Sequence, residues 1–190
     1  MSRPVALLDA CVLYPQMLRD VMITLARAGF YQAKWTAQIN DEWVRQLVKK
    51  NPDRERQVLR TKELVNLSVE DCLIENFEHV IETVALPDPD DRHVLAAAIH
   101  GKADYIVTLN LSDFPSNVLE PHGIVAQSPD DFLASLVEDA VPQACESMRS
   151  LRKRYRNPAM SAEEILASLS RKGLNRTVDL LGKRIDLIKE

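Results

Sequence analysis

Carboxylate side chains stand at several points of this sequence where an α/β sheet would present them to a ligand. Asp9 directly follows the apolar run at residues 5–8, which is typical of a buried strand. Ligands of open α/β sheets bind beyond the carboxyl ends of the strands, so an acid in this position is a candidate site residue. The alternative is that Asp9 only caps the turn that follows.

A predicted helix at residues 37–50 supplies a second acid. Its apolar residues recur at helical spacing and form a core stripe, which consists of Ile39, Trp43 and Leu47. At about 100° per residue, Asp41 lies about 160° from the centre of that stripe and Glu42 only about 100° away. Glu42 is therefore the better candidate for reaching a cleft, and an exposed pairing on its own helix is the alternative.

The third candidate is Asp91, at the start of an Ala-rich helix predicted at residues 91–102. The inward face of that helix is apolar and consists of Val94, Leu95, Ala98 and Ile99. Asp91 falls in the middle of this face, where the N–H groups of the first turn and the helix dipole stabilise an anion. Asp90 lies about 110° off the face and is predicted to be the N-cap.

Polar residues also end a strand predicted at residues 105–109. Thr108 and Asn110 alternate with apolar neighbours, and Asp113 follows just beyond the strand. Each of these residues alone is typical of a turn. Their position on the same side of the predicted sheet as the other acids makes them candidates for one shared site.

Several carboxylates in one place repel one another and need a neutralising cation. Oxygen ligands suit hard divalent ions, so the predicted metal is Mg²⁺ or Mn²⁺. Histidine occurs only at positions 79, 93, 100 and 122, without HxxxH or HExxH spacing, which disfavours zinc.

The elements that would hold these residues alternate between strand and helix. Strands are predicted at residues 5–8, 31–36, 80–86, 105–109 and 123–126. This alternation favours an α/β fold with a central parallel sheet flanked by helices. From Ser128 the strand signals cease, and three or four helices follow, with breaks near Asn157 and Gly173. We expect one domain at residues 1–127 and an all-helical C-terminal extension at residues 128–190.

Charge divides at the same boundary. The 190-residue chain has a formal net charge of −4, which argues against a uniformly basic coat for nucleic acid. Residues 1–127 carry 18 acidic and 13 basic side chains, whereas residues 128–190 carry 10 acidic and 11 basic. Five basic residues, here called the basic cluster, are Arg149, Arg152, Lys153, Arg154 and Arg156. They form either a solvated helix face or a contact surface for an anion such as RNA.

Other classes of protein are disfavoured. The five glycines are too widely spaced for a dinucleotide-binding or P-loop motif, and there is no GxSxG nucleophile elbow. The three cysteines suit a reducing compartment. No apolar run approaches the roughly 20 residues that span a bilayer, and no signal peptide is present, so we expect a cytoplasmic protein without a membrane partner.

Four blocks of the sequence resemble the PIN domain, the nuclease fold of VapC-type toxins in bacterial toxin–antitoxin pairs. They are Leu7-Leu8-Asp9-Ala10-Cys11-Val12-Leu13, Glu42 on its helix, residues 88–98 and residues 103–114. The resemblance covers residues 4–127 and implies a three-layer fold, one or two bound Mg²⁺ or Mn²⁺ ions, and hydrolysis of RNA phosphodiester bonds. A small protein antitoxin is the partner that it implies.

Carried over residue by residue, the resemblance assigns the first three acidic positions to Asp9, Glu42 and Asp91. Asn110 stands where many members have an acid, and Asp113 is the available substitute. These four acids are then the predicted catalytic and metal-binding residues, while Thr108 and Asn110 would orient water and substrate.

The helical extension resembles the one in some larger PIN-type toxins. Three roles are open for it: packing on the core, homodimerisation, or contact between the basic cluster and RNA phosphates. An alternative function is a non-catalytic RNA-binding or regulatory PIN-like module, which the departure at Asn110 motivates. A third is a flap-type nuclease directed at DNA.

Overall fold

The computed structural model describes residues 3–189 and has a parallel four-stranded sheet at its centre. The strands are β1 (Val5–Leu8), β2 (Gln32–Lys34), β3 (Tyr105–Val107) and β4 (Val125–Gln127), in the order β2-β1-β3-β4. The central strands β1 and β3 pair through Leu7 with Ile106 and Leu8 with Val107. These side chains are fully buried, as expected where helices cover both faces of a parallel sheet.

Helices connect the strands. Between β1 and β2 lie α1 (Ala10–Leu13) and α2 (Gln16–Arg27). Between β2 and β3 lie α3 (Ala37–Lys50), α4 (Glu55–Ser68), α5 (Glu78–Ile81) and α6 (Arg92–His100). The short α7 (Ser116–Leu119) precedes β4. The predicted α/β architecture, with a central parallel sheet flanked by helices, is confirmed.

Local sequence signals explain where the site-bearing helices begin. The Thr36 side chain accepts a hydrogen bond from the Ile39 N–H at 3.0 Å and so caps α3. Pro89 opens a 3₁₀ turn, Pro89–Asp91, that leads into α6. Five consecutive residues of α6, from Val94 to Ala98, are fully buried, so this helix lies in the core rather than presenting one face to it.

The C-terminal region is all helical, as predicted. It contains α8 (Pro129–Val137), α9 (Val141–Arg154), α10 (Ala162–Ser170), α11 (Asn175–Gly182) and α12 (Ile185–Lys189). Helix α9 packs on α2, and the Phe132 ring of α8 lies 5.0 Å from that of Tyr31. One continuous apolar core joins both parts of the chain. Whether residues 1–127 and 128–190 are separate domains therefore stays a prediction.

The strand predicted at residues 80–86 is wrong. Its first residues belong to α5, and the Thr83 N–H donates to the Val80 carbonyl in the turn that follows. Val84 and Leu86 are buried, and α5 packs on α6. Local turn hydrogen bonds and helix packing thus override the β-propensity of this apolar segment.

Within residues 3–189, no helix combines the length and the hydropathy needed to cross a membrane.

Candidate active site

The carboxylate of Asp9, at the end of β1, accepts three hydrogen bonds. Its Oδ1 accepts the Ala10 N–H at 2.6 Å, while its Oδ2 accepts the Thr108 hydroxyl at 2.7 Å and the Cys11 thiol at 3.1 Å. One oxygen thus caps α1, and the other faces the end of β3. A carboxylate has about four acceptor positions, so the oriented and buried Asp9 retains room for one further partner.

Thr108 is the residue that ties the two central strands together at the site. It is fully buried, and its hydroxyl donates to Asp9 and accepts the Asn110 N–H at 3.0 Å. Its hydroxyl hydrogen is therefore committed to the carboxylate. Asn110 is exposed, and its carbonyl accepts the Asp113 N–H at 3.1 Å, which places Asp113 on the next turn.

Cys11 supports the same acid. Its Sγ lies 3.2 Å from the Leu109 N–H, which donates to it. Burial, followed by the charge of Asp9, raises the pKa of the thiol to about 12, so the side chain is a neutral donor rather than a thiolate nucleophile. Sequence reasoning did not give Cys11 a site role. The available signal was its position two residues after Asp9, in the first turn of α1.

Asp91 lies at the last position of the 3₁₀ turn and is half-buried. The prediction that Asp90 caps this helix is wrong, because the side chain of Asp88 accepts the Asp90 N–H at 2.9 Å and caps the turn instead. Pro89 starts the turn two residues before the predicted start of the helix at residue 91. Asp91 remains without a capping hydrogen bond of its own.

The pKa of Asp91 shows which carboxylates surround it. Burial, followed by the charges of Asp9, Asp113 and Asp88 in that order, raises this pKa to about 6, while the charge of His93 opposes the rise. Asp9, Asp91 and Asp113 come from three different elements of the chain. The structure therefore brings Asp9 and Asp113 within electrostatic range of Asp91.

Glu42 reaches the site through a histidine. Its Oε1 lies 2.9 Å from Nε2 of His93, a residue of α6 that is 4% exposed and whose Nδ1 is buried without a partner. The neighbouring Asp41 instead pairs with Lys62 at 3.3 Å on the outer side of α3. Sequence reasoning missed His93 because histidines were considered only as zinc ligands. Its position two residues after Asp91 was the available signal.

The donor set suits a hard divalent cation in its chemistry. It consists of carboxylate oxygens whose mutual repulsion a cation would relieve, and the raised pKa of Asp91 reflects its burial first and that repulsion second. Within residues 3–189, no three His, Cys, Asp or Glu side chains are so arranged that they could hold one ion together. Asp9, Asp91 and Asp113 fit such an ion by their chemistry, whereas Glu42 is engaged by His93.

The basic cluster does not form one surface. Arg152 donates to the carbonyls of Ile188 and Lys189, each at 2.9 Å, and so binds the end of α12. Arg154 donates to the Thr24 hydroxyl of α2. Lys153 and Arg156 are exposed.

Two sequence families match the chain. The PIN domain family matches residues 5–112, and the family described as VapC50 C-terminal domain matches residues 129–183. A protein of Mycobacterium tuberculosis named "Putative ribonuclease VapC50" is 58% identical over 43 residues, which cover 23% of this chain and 25% of that protein. The aligned stretch thus spans about a quarter of that relative's length. No solved structure matches the chain.

Proposed function

This chain belongs to the PIN domain family, and from that membership we propose that it is an Mg²⁺- or Mn²⁺-dependent endoribonuclease. It hydrolyses RNA phosphodiester bonds and acts as the toxin of a toxin–antitoxin pair, restrained by a small protein antitoxin. The relative named as a ribonuclease and the match of residues 129–183 to the VapC50 C-terminal domain support the toxin assignment.

One observation carries the proposal. Asp91 is half-buried beside Asp9 and Asp113, which come from separate elements, and its burial together with their charges raises its pKa to about 6. Such a group gains most from a bound cation, since a cation offsets both the burial and the repulsion. These three residues would hold the ion, which would draw their side chains together, because within residues 3–189 they are not arranged to hold one ion as they stand.

When bound, a divalent cation supplies a lowered pKa for the attacking water and neutralises charge on the phosphate that is attacked. The chain's own residues prepare the site for this chemistry. Thr108 and Cys11 hold Asp9 in one orientation by donating to the same oxygen, Oδ2. Because Asp9 is preorganised in this way, its own carboxylate needs little rearrangement during the reaction.

Glu42 and His93 form a hydrogen-bonded pair near Asp91. The His93 imidazole fixes the Glu42 carboxylate through its Nε2 and partly offsets the negative charge at Asp91. Glu42 then serves as an acceptor that orients a water molecule. Asn110 is exposed at the rim, where its amide can bind substrate without adding a charge.

Cleavage of a single-stranded RNA in the presence of Mg²⁺ or Mn²⁺ tests the function. We expect the native chain to cleave it and the variants Asp9→Asn and Asp91→Asn to lose at least about 100-fold in rate, as removal of a metal ligand entails. Asp90→Asn is the matched control, because Asp90 is exposed and precedes Asp91 in the same turn. It should cleave at the native rate.

The result also separates the alternatives. RNA binding without cleavage by the native chain would contradict the enzyme and favour the non-catalytic RNA-binding or regulatory module. Preferential cleavage of branched DNA would favour the flap-type nuclease.

The toxin assignment has its own test. Expression of the native chain in a bacterial host should arrest growth, and co-expression of the product of a neighbouring gene should relieve the arrest. Asp91→Asn should not arrest growth. Equal arrest by this variant and the native chain would contradict an RNA-cleaving toxin.

A further inference from the structure

A connected groove runs along the outer side of α2, between α4 of the PIN region and α9 of the extension. Four adjoining cavities of about 340, 270, 500 and 370 Å³ make it up. Asp20 lines three of these cavities, and Arg154 also lines three. We call this feature the α2 groove, and its floor is formed by Gln16, Asp20, Thr24 and Arg27.

The α2 groove is strongly basic, although the whole chain has a net charge of −4. Its charged lining residues are five arginines and one acid: Arg19, Arg27, Arg54, Arg154, Arg156 and Asp20. The single acid is already engaged, since Asp20 Oδ2 accepts the Tyr155 hydroxyl at 2.6 Å. Excess positive charge in a confined groove focuses an attractive field for a polyanion.

Three of these arginines are available to a ligand. Arg27, Arg54 and Arg156 are exposed, and none of them forms an ion pair with any residue of the described range 3–189. Ser147 and Ser150 line the groove beside Arg27, but their hydroxyls donate to backbone carbonyls of α9, so the arginines are the available donors. Guanidinium groups bind phosphate oxygens in protein–nucleic acid complexes.

One end of the α2 groove lies close to the carboxylates. Tyr14 lines that end and is the C-terminal cap of α1, whose N-terminal cap is Asp9. At about 1.5 Å per residue, these two positions are separated by about 8 Å along the helix axis. The Tyr14 end of the groove is therefore the end from which a bound backbone would continue towards the candidate site.

We propose that the α2 groove binds the phosphodiester backbone of single-stranded RNA and leads it to the carboxylate site, an inference that rests on the proposed function. The extension then has a defined part in substrate binding, because Arg154 and Arg156 complete a surface begun by Arg27 and Arg54. Recognition is through phosphates and so depends little on base sequence. The bases are left for residues nearer the carboxylates.

Binding measured without metal tests the groove separately from catalysis. The protein is the full chain carrying Asp9→Asn, in EDTA, and the probe is a labelled 20-nucleotide single-stranded RNA. The double variant Arg27→Gln/Arg54→Gln changes two exposed arginines that form no ion pair within residues 3–189. We expect its affinity to fall about tenfold or more and the slope of log K against log salt to decrease in magnitude by about 1.4, since each lost contact removes about 0.7.

A matched pair of controls removes the same charge elsewhere. Lys153→Gln/Arg171→Gln alters two exposed basic residues of the extension that do not line the groove. An unchanged RNA affinity of this control variant supports RNA binding in the α2 groove. A loss of RNA affinity equal to that of Arg27→Gln/Arg54→Gln would overturn it. Equal thermal unfolding midpoints for all variants exclude a folding defect as the cause.

Cleavage assays with Mg²⁺ on the chain with native Asp9 distinguish failure of the groove from failure of the proposed function. The groove variant should show a raised KM for the 20-nucleotide RNA and a native rate on a dinucleotide. If the groove variant cleaves both substrates with the native KM, the proposal that RNA binds in the α2 groove is overturned, while the proposed nuclease activity stands. If no protein cleaves RNA but RNA binding still depends on Arg27 and Arg54, the proposed nuclease activity is overturned and RNA binding in the α2 groove is supported.

Discussion

Thr108 determines how Asp9 presents its carboxylate, so its hydroxyl has a measurable role. Thr108→Val keeps the shape of this buried side chain but removes the bond to Asp9 Oδ2 and the acceptor of the Asn110 N–H. A hydrogen bond to a charged group contributes about 1.5–3 kcal/mol, so we expect the cleavage rate or Mn²⁺ affinity to fall roughly 10- to 100-fold. Thr108→Ser should retain most of both. Native values for Thr108→Val would show that Thr108 does not position Asp9.

Asp91 predicts a pH dependence for the metal-free fold. The folded-state pKa of about 6 lies above the ordinary value of 3.8, so the folded chain binds this proton more tightly than the unfolded chain. Stability from the neutral form is fully present below about pH 4 and is lost as the pH rises through about 6. In EDTA, the unfolding midpoint of the native chain should therefore fall relative to Asp91→Asn across this window. A constant difference between the two proteins would contradict the shift.

Periodicity indicates some residues of the candidate site and not others. Asp9 and Asp91 are predicted site residues because strand ends and first helical turns are recognisable from periodicity. Cys11 and His93 were missed because their roles depend on contacts with Thr108 and Glu42, which lie far away in the sequence.

At the scale of elements, Tyr155 links the end of α9 to α2 by a hydrogen bond. Its hydroxyl donates to Asp20 Oδ2 at 2.6 Å in a half-buried setting. Tyr155→Phe should lower the free energy of unfolding in urea by about 1 kcal/mol, less than for a fully buried bond to a charge. Tyr14→Phe is the control, since within residues 3–189 the Tyr14 hydroxyl has no hydrogen-bond partner. Equal effects of the two substitutions would contradict this linking role.

Most elements follow from their sequence signals, and the exceptions have identifiable causes. Apolar runs flanked by turns located the central strands β1 and β3, because they are buried on both faces. The edge strands β2 and β4 are partly exposed and were indicated by short extended stretches. Residues 80–86 are also rich in apolar and β-branched side chains, but they form part of α5 and a turn, because packing on α6 decides their conformation. The basic cluster divides for a similar reason: nothing local indicates that Arg152 binds the last carbonyls of α12.

At the scale of the whole molecule, the extension completes the core of the PIN region. Phe132 of α8 contacts Tyr31 at 5.0 Å and Tyr105 at 5.3 Å between ring centroids. Removing residues 128–190 would expose these rings and the side of α2 that α9 covers. We expect a chain of residues 1–127 to aggregate or to unfold at a much lower temperature. A soluble, cooperatively unfolding fragment with the native midpoint would instead support two independent domains.

The most direct measurement is Mn²⁺ binding to the full chain at pH 7.5, followed by calorimetry or by the electron paramagnetic resonance signal of the free ion. The central claim is that Asp9, Asp91 and Asp113 act together as one cation site. It predicts saturable binding by the native chain and by Asp90→Asn, and at least about tenfold weaker binding by Asp9→Asn, Asp91→Asn and Asp113→Asn. Equal Mn²⁺ affinity for Asp90→Asn and Asp91→Asn, or no binding by the native chain, would contradict it.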